Sequence, residues 1–237
     1  MELYDSIWQR KSCRTFIDEQ LPAEIHSAIK EAIAGFDRLY PDVSLSYRFF
    51  DKAMGKFKVD APHYLMIEGT GNKREQESAG FLFEQLSLWF DMHNIGSVWL
   101  GSTMDSQKGS KGSDILAIAF GKSSESIHRA ADEFSRKNIH EITNVPDDIL
   151  MQAVHIAPSG MNTQPWYFEK LDNEIYVYLQ KLKLPLSLIY KHTQVDMGIA
   201  LCHYALAAKH EGKSFSFKRS ENLSEKKGFI PFGIITF

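Results

Sequence analysis

The sequence predicts an α+β fold composed of two related halves, each with a sheet flanked by helices. Amphipathic stretches of helical length alternate along the chain with short apolar runs of strand length. The same order of helices and strands occurs twice, and sequence similarity recurs at a nearly constant spacing. At 237 residues, 43% of them hydrophobic, the chain can form one large domain or two closely packed halves.

The first half is expected to contain four helices and four strands. Helices are predicted at 2–9, 22–37, 73–93 and 124–135. Runs rich in β-branched and aromatic residues predict strands near 46–52, 63–68, 98–100 and 115–120. The polar stretch 105–113 is interpreted as a flexible loop that borders a pocket.

The second half repeats this order. One helix is expected to start at Pro146 and another to cover 195–210. Strands are expected near 166–170, 175–179, 214–218 and 233–237. The charged stretch 219–227 is interpreted as a second loop beside the pocket.

Direct comparison of the halves indicates an internal duplication. The helix that contains Gly80 parallels the helix that contains Gly198, at an offset of 118 residues. Further matches between strands have an offset close to this value. We therefore predict two divergent copies of one unit, residues 1–142 and 143–237, packed together as one body.

Composition and charge argue against several classes of protein. A net charge of −3 and a pI near 6.3 make nucleic acid an unsuitable partner. No apolar run approaches the roughly 18 residues of a membrane span, and the acidic start is unlike a signal peptide. Cys13 and Cys202 lack CxxC spacing, and the histidines show no HExxH or HxH pattern. We expect a cytoplasmic protein without membrane contact, disulfide or metal.

Residues 157–166, APSGMNTQPW, carry the strongest chemical signal in the chain. Asn162 and Gln164 each supply amide donors and an acceptor, while the prolines and Gly160 shape the backbone. Such a segment suits a flat heterocycle with alternating carbonyl and N–H edges. It is also consistent with a helix-to-strand connection in which polar side chains cap the backbone.

Residues 10–16, RKSCRTF, place three cations and two hydroxyl residues close together near the N-terminus. Arginine presents a rigid fork of donors and lysine a mobile charge, so this pattern suits a phosphate monoester. A basic turn exposed to solvent is the alternative interpretation.

Together, the two segments resemble the signature motifs of the FMN-dependent nitroreductase family, R-R-S-x-R-x-F/Y and A-P-S-x-x-N-x-Q-P-W. The resemblance implies that the phosphate and ribityl hydroxyls of FMN are held by Arg10, Lys11 and Ser12. It implies that Arg14 stabilises the negative charge of the reduced flavin near N1 and the C2 carbonyl. It further implies an opposite wall of the flavin pocket formed by Pro158, Ser159, Asn162 and Gln164.

In this family the segment after the long helix faces the N5 side of the flavin. The matching residues here are Val98, Trp99, Leu100 and Gly101; Trp99 is alternatively a core residue. The implied activity is hydride transfer from NAD(P)H, through the flavin, to a nitroaromatic, a quinone or a similar small acceptor. The alternative is a protein that binds flavin or another small ligand without turnover.

Residues 136–142, RKNIHEI, have two interpretations. They resemble the family's R-K-P-L-E-E-I segment, which implies that Arg136 and Lys137 reach the flavin phosphate. Equally, both cations suit the exposed last turn of the helix expected at 124–135, where they would complement the helix dipole.

The motifs are arranged unusually, because ordinary family members carry both within a few tens of residues. Here the second motif lies in the second half, and the first half has GFDRLYPD at 35–42, without the Asn or the Gln. Only one complementary pair of motifs is retained. This implies one flavin per chain, bound between the halves, in a protein that can function as a monomer; further dimerisation stays open.

Two other chemistries have less support. Residues 69–72, GTGN, follow a strand and open a helix as in a dinucleotide fingerprint, but the third glycine is missing. Cys13 lies among cations that would lower a thiol pKa, which suits a nucleophile. It occupies the variable position of the family motif, however, so we do not expect that role.

Overall fold

The computed structural model describes residues 2–109 and 112–237 and is of the predicted α+β class. The helices of this part of the chain are α1 (Leu3–Ile7), α2 (Ile25–Gly35), α3 (Lys73–Met92), α4 (Ile149–His155), α5 (Leu186–Ile189) and α6 (Thr193–His210). Its strands are β1 (Ser46–Phe50), β2 (Ala53–Met54), β3 (His63–Glu68), β4 (Gly96–Leu100), β5 (Met104–Asp105), β6 (Asp114–Gly121), β7 (Trp166–Leu171), β8 (Glu174–Gln180), β9 (Ser216–Arg219) and β10 (Phe229–Thr236).

Two four-stranded antiparallel sheets organise the fold, with strand orders β1-β3-β6-β4 and β7-β8-β10-β9. In each sheet, two strands precede the long helix of that half and two follow it. The two orders are therefore the same, 1-2-4-3, when the four strands of each sheet are numbered in chain order. β2 and β5 form a separate short ribbon.

The long helices α3 and α6 pack against each other at two glycines. A Cβ atom at Gly80 would lie 2.0 Å from the carbonyl oxygen of Val195. A Cβ atom at Gly198 would lie 2.0 Å from the carbonyl oxygen of Glu77. Only glycine permits this approach of the two backbones. The 118-residue offset that relates the glycines also relates the carbonyls they contact.

Apolar side chains join the two halves into a continuous core. One cluster places Leu88 of α3 with Trp166 of β7 and Leu201 of α6. A second cluster packs α3 against the first sheet through Phe83 and Phe120. The interface between the halves is thus part of the hydrophobic core, and burial of this area is the main term that holds them together.

The predicted helix at 124–135 is wrong. Within this range only a 3₁₀ turn, Ala131–Glu133, is helical. The N–H of Lys11 donates to the carbonyl of Ile127 at 2.8 Å, so the segment pairs with the N-terminal basic segment instead. The hydroxyl of Ser126 also accepts a backbone N–H two residues later, a local bond that competes with helix formation.

The other predicted helices and strands are present, with small shifts of their ends. The helix expected at Pro146 starts after Asp148, whose carboxylate accepts the N–H of Leu150 at 2.9 Å. The GTGN segment ends at Asn72, which caps α3 by accepting the N–H of Glu75. Because both sheets are antiparallel, this segment is a helix cap and not a dinucleotide fingerprint of a parallel sheet.

The predicted loop 219–227 links β9 to β10. The predicted loop 105–113 begins at Asp105, the last residue of β5, and residues 110 and 111 lie outside the described residues. In the described part of the chain, no helix is both long and apolar enough to cross a bilayer.

Candidate functional site

A cavity of about 410 Å³ lies where the two halves meet. Ser12 and Arg14 of the N-terminal basic segment line it from the first half, together with Trp99 of β4. Pro158 and Ser159 of the amide-rich segment line it from the second half. The structure thus brings the two sequence motifs to one space, within the roughly 300–1,000 Å³ typical of small-ligand sites.

Backbone pairing holds the N-terminal basic segment beside β4. Ser12 forms a parallel bridge with Ser97, and the N–H of Cys13 donates to the Ser97 carbonyl at 2.9 Å. The N–H of Lys11 donates to the carbonyl of Ile127. The segment is therefore held by backbone bridges to β4 and to the segment after β6, and it is not a free turn.

Arg10 is buried, with 4% of its surface exposed, and does not itself line the cavity. Its Nε lies 3.7 Å from Oε1 of Glu84. Glu84 is also shared with two other side chains, since it accepts from the indole N–H of Trp99 at 2.9 Å and lies 3.2 Å from His203. Nη1 of Arg10 is buried without a hydrogen-bond partner among the described residues, and an unpaired donor in that state is costly.

The segment after the long helix α3 reaches the cavity at three of its four predicted positions. Val98, Trp99 and Gly101 line the space, whereas Leu100 is buried in an apolar cluster of the first sheet. The carbonyl of Gly101 lies 3.1 Å from Nε2 of His192, which also lines the cavity. This contact joins β4 to the start of α6. Burial lowers the pKa of His192, so the ring is neutral at pH 7 and can donate to that carbonyl.

The amide-rich segment has an unusual backbone. Met161, Asn162 and Gln164 have φ angles of 53°, 54° and 40°, in the left-handed region that residues with a side chain rarely occupy. Gly160 is required for a different reason, because a Cβ atom there would lie 2.0 Å from the hydroxyl of Tyr190. Backbone strain of this kind persists only where surrounding contacts enforce it.

Asp196 of α6 supplies those contacts. Its carboxylate accepts the N–H of Gly160 at 2.9 Å and the hydroxyl of Tyr190 at 2.8 Å, with the hydroxyl of Thr163 at 3.5 Å. Asp196 is almost fully buried, and burial raises its pKa to about 7. Burial and the neighbouring Asp196 carboxylate in turn raise the pKa of Tyr190, so its hydroxyl remains a donor.

Gln164 and Lys137 are bonded to each other and lie outside the cavity lining. Gln164 is fully buried; its Oε1 accepts the N–H of Lys137 at 2.6 Å, and its Nε2 donates to the carbonyl of His155 at 2.8 Å. The ammonium of Lys137 donates to the carbonyl of Gln164 and to Gln180. Both polar groups are therefore satisfied by protein atoms.

Asn162 and Arg136 form a second pair behind the amide-rich segment. Nη1 of Arg136 donates to Oδ1 of Asn162 at 3.0 Å, and Asn162 donates to the carbonyl of Ser135 at 2.9 Å. Arg136 also donates to the carbonyl of Ile156 at 2.9 Å. The structure thus brings Arg136 from the end of the first half against the second motif. It does so on a turn and not on the helix that the sequence predicts.

Exposed apolar side chains surround the mouth of the cavity. Phe57, Met161 and Ile189 come from three separate segments, line the cavity and are each more than 60% exposed. The predicted loops 105–113 and 219–227 contribute no described residue to the lining, so the expectation that they border the pocket is wrong. The mouth is instead formed by Met161 of the amide-rich segment together with Phe57 and Ile189, which no sequence motif indicated.

The position related to the cavity by the 118-residue offset is filled with side chains. Val195 lines the cavity, and the residue 118 positions earlier is Glu77. There the hydroxyl of Tyr40 donates to Glu77 at 2.6 Å, and Arg219 bonds the other carboxylate oxygen. The Arg219 guanidinium also lies 4.4 Å from the ring centre of Phe232. Tyrosine, arginine and phenylalanine side chains thus occupy this second position.

Comparison with known families decides the classification. Residues 2–208 match the sequence profile of the family described as "Putative TM nitroreductase". The chain belongs to this nitroreductase family. No curated protein matches the sequence.

One solved structure agrees with the fold of this nitroreductase-family protein over its whole length. A Thermotoga maritima protein described as a "putative nitroreductase" is 17% identical, with a TM-score of 0.70 over 100% of this chain and 94% of that one. A nitroreductase from Desulfitobacterium hafniense with bound FMN is 12% identical, with a TM-score of 0.43 over 58% of this chain and 100% of that one. The Thermotoga maritima structure shows the same fold across the whole length.

Sequence motifs missed several residues of this nitroreductase-family site. Asp196 belongs to the repeated helix, but its contact with Gly160 depends on a chain reversal that local sequence does not encode. Phe57 lies in a turn, and Ile189 ends the four-residue helix α5, which is too short to show a helical periodicity.

Proposed function

We propose that this protein is an FMN-dependent oxidoreductase that transfers a hydride from NAD(P)H, through N5 of the flavin, to a nitroaromatic, a quinone or a similar small acceptor. One observation carries the proposal: the basic segment of the first half and the amide-rich segment of the second half line the same cavity. Membership of the nitroreductase family supports flavin-based redox chemistry.

The residues present suit a flavin that ends in a phosphate monoester. Arg10 holds a buried N–H without a partner among the described residues, as expected where an anion completes the site. The cavity walls are largely apolar, with Val98, Leu116 and Ile199 among them, and carry a few polar groups. Cations for a phosphate therefore occur beside an apolar surface for a planar ring, the usual composition of a cofactor pocket.

In this proposal the phosphate and ribityl hydroxyls are held by Arg10, Lys11, Ser12 and Arg136. Arg14 lines the cavity and places a positive charge where the ring edge near N1 and C2 would lie. The side chain of Arg14 is exposed at the edge of the cavity, and its positive charge would act on the ring edge beside it. Arg14 is thus the residue proposed to favour reduction of the cofactor.

Two further walls of the cavity are proposed to contact the flavin ring. Pro158 and Ser159 face the cavity from the second half, and Trp99 and Gly101 face it from β4 on the side proposed for N5. Gln164, Lys137 and Asn162 are assigned to positioning, because their polar groups already bond to protein atoms. They hold the walls without touching the ring.

The bound flavin supplies two-electron chemistry, and this chain supplies binding, orientation and charge. Asp196 holds the backbone of the amide-rich segment through Gly160 and Tyr190, so the wall is already in place before the cofactor arrives. The apolar side chains at the mouth favour a planar acceptor of low polarity and limit the access of water.

We also propose that the chain is a tandem duplication whose halves, 1–142 and 143–237, reproduce a dimer within one monomer. The common strand order of the two sheets supports this, as does the reciprocal contact of Gly80 and Gly198 with the opposite helix. One flavin per chain is expected, because Tyr40 and Arg219 fill the related second position.

An absorption spectrum with and without added FMN, followed by anaerobic addition of NADH or NADPH, tests the function. A yellow protein that is bleached, and is reoxidised by a quinone, supports the enzyme; one that stays yellow is a binding protein without turnover. A colourless protein that takes up no FMN refutes the proposal.

Two variants sharpen this test. Arg14→Gln is expected to slow bleaching at least about 10-fold, because it removes charge at the reacting ring. Arg38→Gln, an exposed arginine outside the cavity lining, is the matched control and leaves the rate unchanged. Equal rates in both variants would contradict the role given to Arg14.

A further inference from the structure

Three arginine side chains come together at the junction of the halves, on segments far apart in the sequence. Arg10 belongs to the N-terminal basic segment, Arg129 to the extended segment after β6, and Arg136 to the turn that follows. Burial and Arg10 lower the pKa of Arg129, and burial, Arg10 and Arg129 lower the pKa of Arg136 to about 10. The positive charges of these arginines therefore oppose one another.

Backbone pairing and an aromatic ring place Arg129 in this group. Its N–H donates to the carbonyl of Gln9 at 2.9 Å, one residue before Arg10. Its guanidinium lies 4.6 Å from the ring centre of Phe134, and that of Arg136 lies 5.7 Å from the same ring. Two arginines thus share one aromatic side chain, and both lie beside Arg10.

The donors of this arginine group are incompletely used. Nε of Arg129 and Nη1 of Arg10 are buried without hydrogen-bond partners among the described residues. Glu84 lies near Arg10 but is shared with Trp99 and His203. A carboxylate near Arg129, that of Glu133, already accepts the N–H of Ala130.

Partly buried cations that repel one another and keep unused donors are unfavourable unless an anion joins them. The guanidinium fork matches the oxygens of a phosphate in geometry as well as in charge. We propose that Arg129 is a further ligand of the phosphate monoester in this site, beside Arg10 and Arg136. The proposal rests on the proposed function, because the phosphate is that of FMN.

Arg129 then contributes to selection between flavins. A phosphate monoester carries close to two negative charges at pH 7, whereas riboflavin lacks the phosphate altogether. A residue that bonds the phosphate strengthens binding of FMN and has no effect on riboflavin. A residue that only packs on Phe134 would change both flavins alike, because its loss would disturb the fold of the turn.

The test compares the dissociation constants of FMN and riboflavin, measured by flavin fluorescence, for wild type and Arg129→Gln. FMN binding is expected to weaken about 10- to 100-fold, the range for one charge-assisted hydrogen bond, with riboflavin unchanged. Arg129→Lys is expected to recover part of the loss. Arg74→Gln is the matched control, since Arg74 also lies over an aromatic ring, 4.5 Å from the centre of Tyr40, but does not line the cavity.

Unchanged FMN affinity in Arg129→Gln, or an equal loss for FMN and riboflavin, would overturn the assignment. If wild type binds neither flavin, the proposed function fails. The melting temperature of the protein in inorganic phosphate then tests whether Arg129 still belongs to an anion-binding site. Phosphate that raises the melting temperature of wild type but not of Arg129→Gln supports the anion site. An equal rise in both proteins overturns it.

Discussion

The contact between α3 and α6 makes a quantitative prediction for the substitution Gly198→Ala. The added Cβ atom would lie 2.0 Å from the carbonyl oxygen of Glu77 and 2.8 Å from the N of Phe81. Because both atoms belong to the backbone, no side chain can rotate to relieve the overlap. The helices must move apart by more than 1 Å to restore an ordinary contact of about 3.5 Å.

Overpacking of a core costs about 1–3 kcal/mol, and a rigid obstacle places Gly198→Ala at the upper end of that range. The better helix propensity of alanine offsets about 1 kcal/mol, so the net loss is about 2 kcal/mol. Gly80→Ala should lose a similar amount, since its Cβ would meet Val195 in the same way. The double substitution should cost clearly less than the sum, because a single separation of the helices relieves both overlaps.

Urea unfolding of the flavin-free protein, followed by fluorescence, measures these differences. Gly35→Ala is the control: it lies at the end of α2 with no atom within 4 Å of the added Cβ, and it should leave stability unchanged or slightly higher. The reasoning fails if Gly198→Ala is as stable as wild type, or if the two helix substitutions add independently.

Three further predictions concern the site. Burial raises the pKa of Asp196 from 3.8 to about 7, so between these values the folded protein binds more protons than the unfolded chain. The free energy of unfolding therefore falls as pH rises through this window. Asp196→Asn should make the urea midpoint less dependent on pH in this window. Gln164→Ala leaves the N–H of Lys137 and the carbonyl of His155 unpaired and should cost about 3 kcal/mol in thermal unfolding without flavin; a stability equal to wild type would contradict this positioning role. Phe57→Ala should raise the KM for an apolar quinone several-fold in steady-state kinetics while the FMN dissociation constant stays the same.

Elements with a strong local pattern could be predicted from the sequence. The strand predicted at 63–68 is β3, His63–Glu68, because a continuous apolar run flanked by polar residues is itself the signal of a buried strand. The long helix predicted at 73–93 is α3, Lys73–Met92, which Asn72 caps. The meeting of RKSCRTF with the amide-rich segment was also predicted, but from the resemblance to a family and not from local physics.

The remainder depends on contacts between distant segments. Residues 124–130, before the 3₁₀ turn, are held by bonds to the N-terminal segment, such as that of Lys11 with Ile127. No local pattern encodes a partner more than a hundred residues away. Gln164 was expected to face a ligand because its amide suits one. Its burial against Lys137 depends on the left-handed backbone of the segment, which the sequence around it does not reveal.

The two halves differ at the position of Asp196. The residue 118 positions before Asp196 is Ser78, whose hydroxyl is buried without a hydrogen-bond partner among the described residues. A buried carboxylate is costly unless donors surround it, and at Asp196 those donors are the N–H of Gly160 and the hydroxyl of Tyr190. The buried aspartate therefore depends on a donor from the amide-rich segment, and the segment depends on the aspartate to hold its backbone. Since the first half lacks the segment, a serine in place of the aspartate is the expected result at the related position.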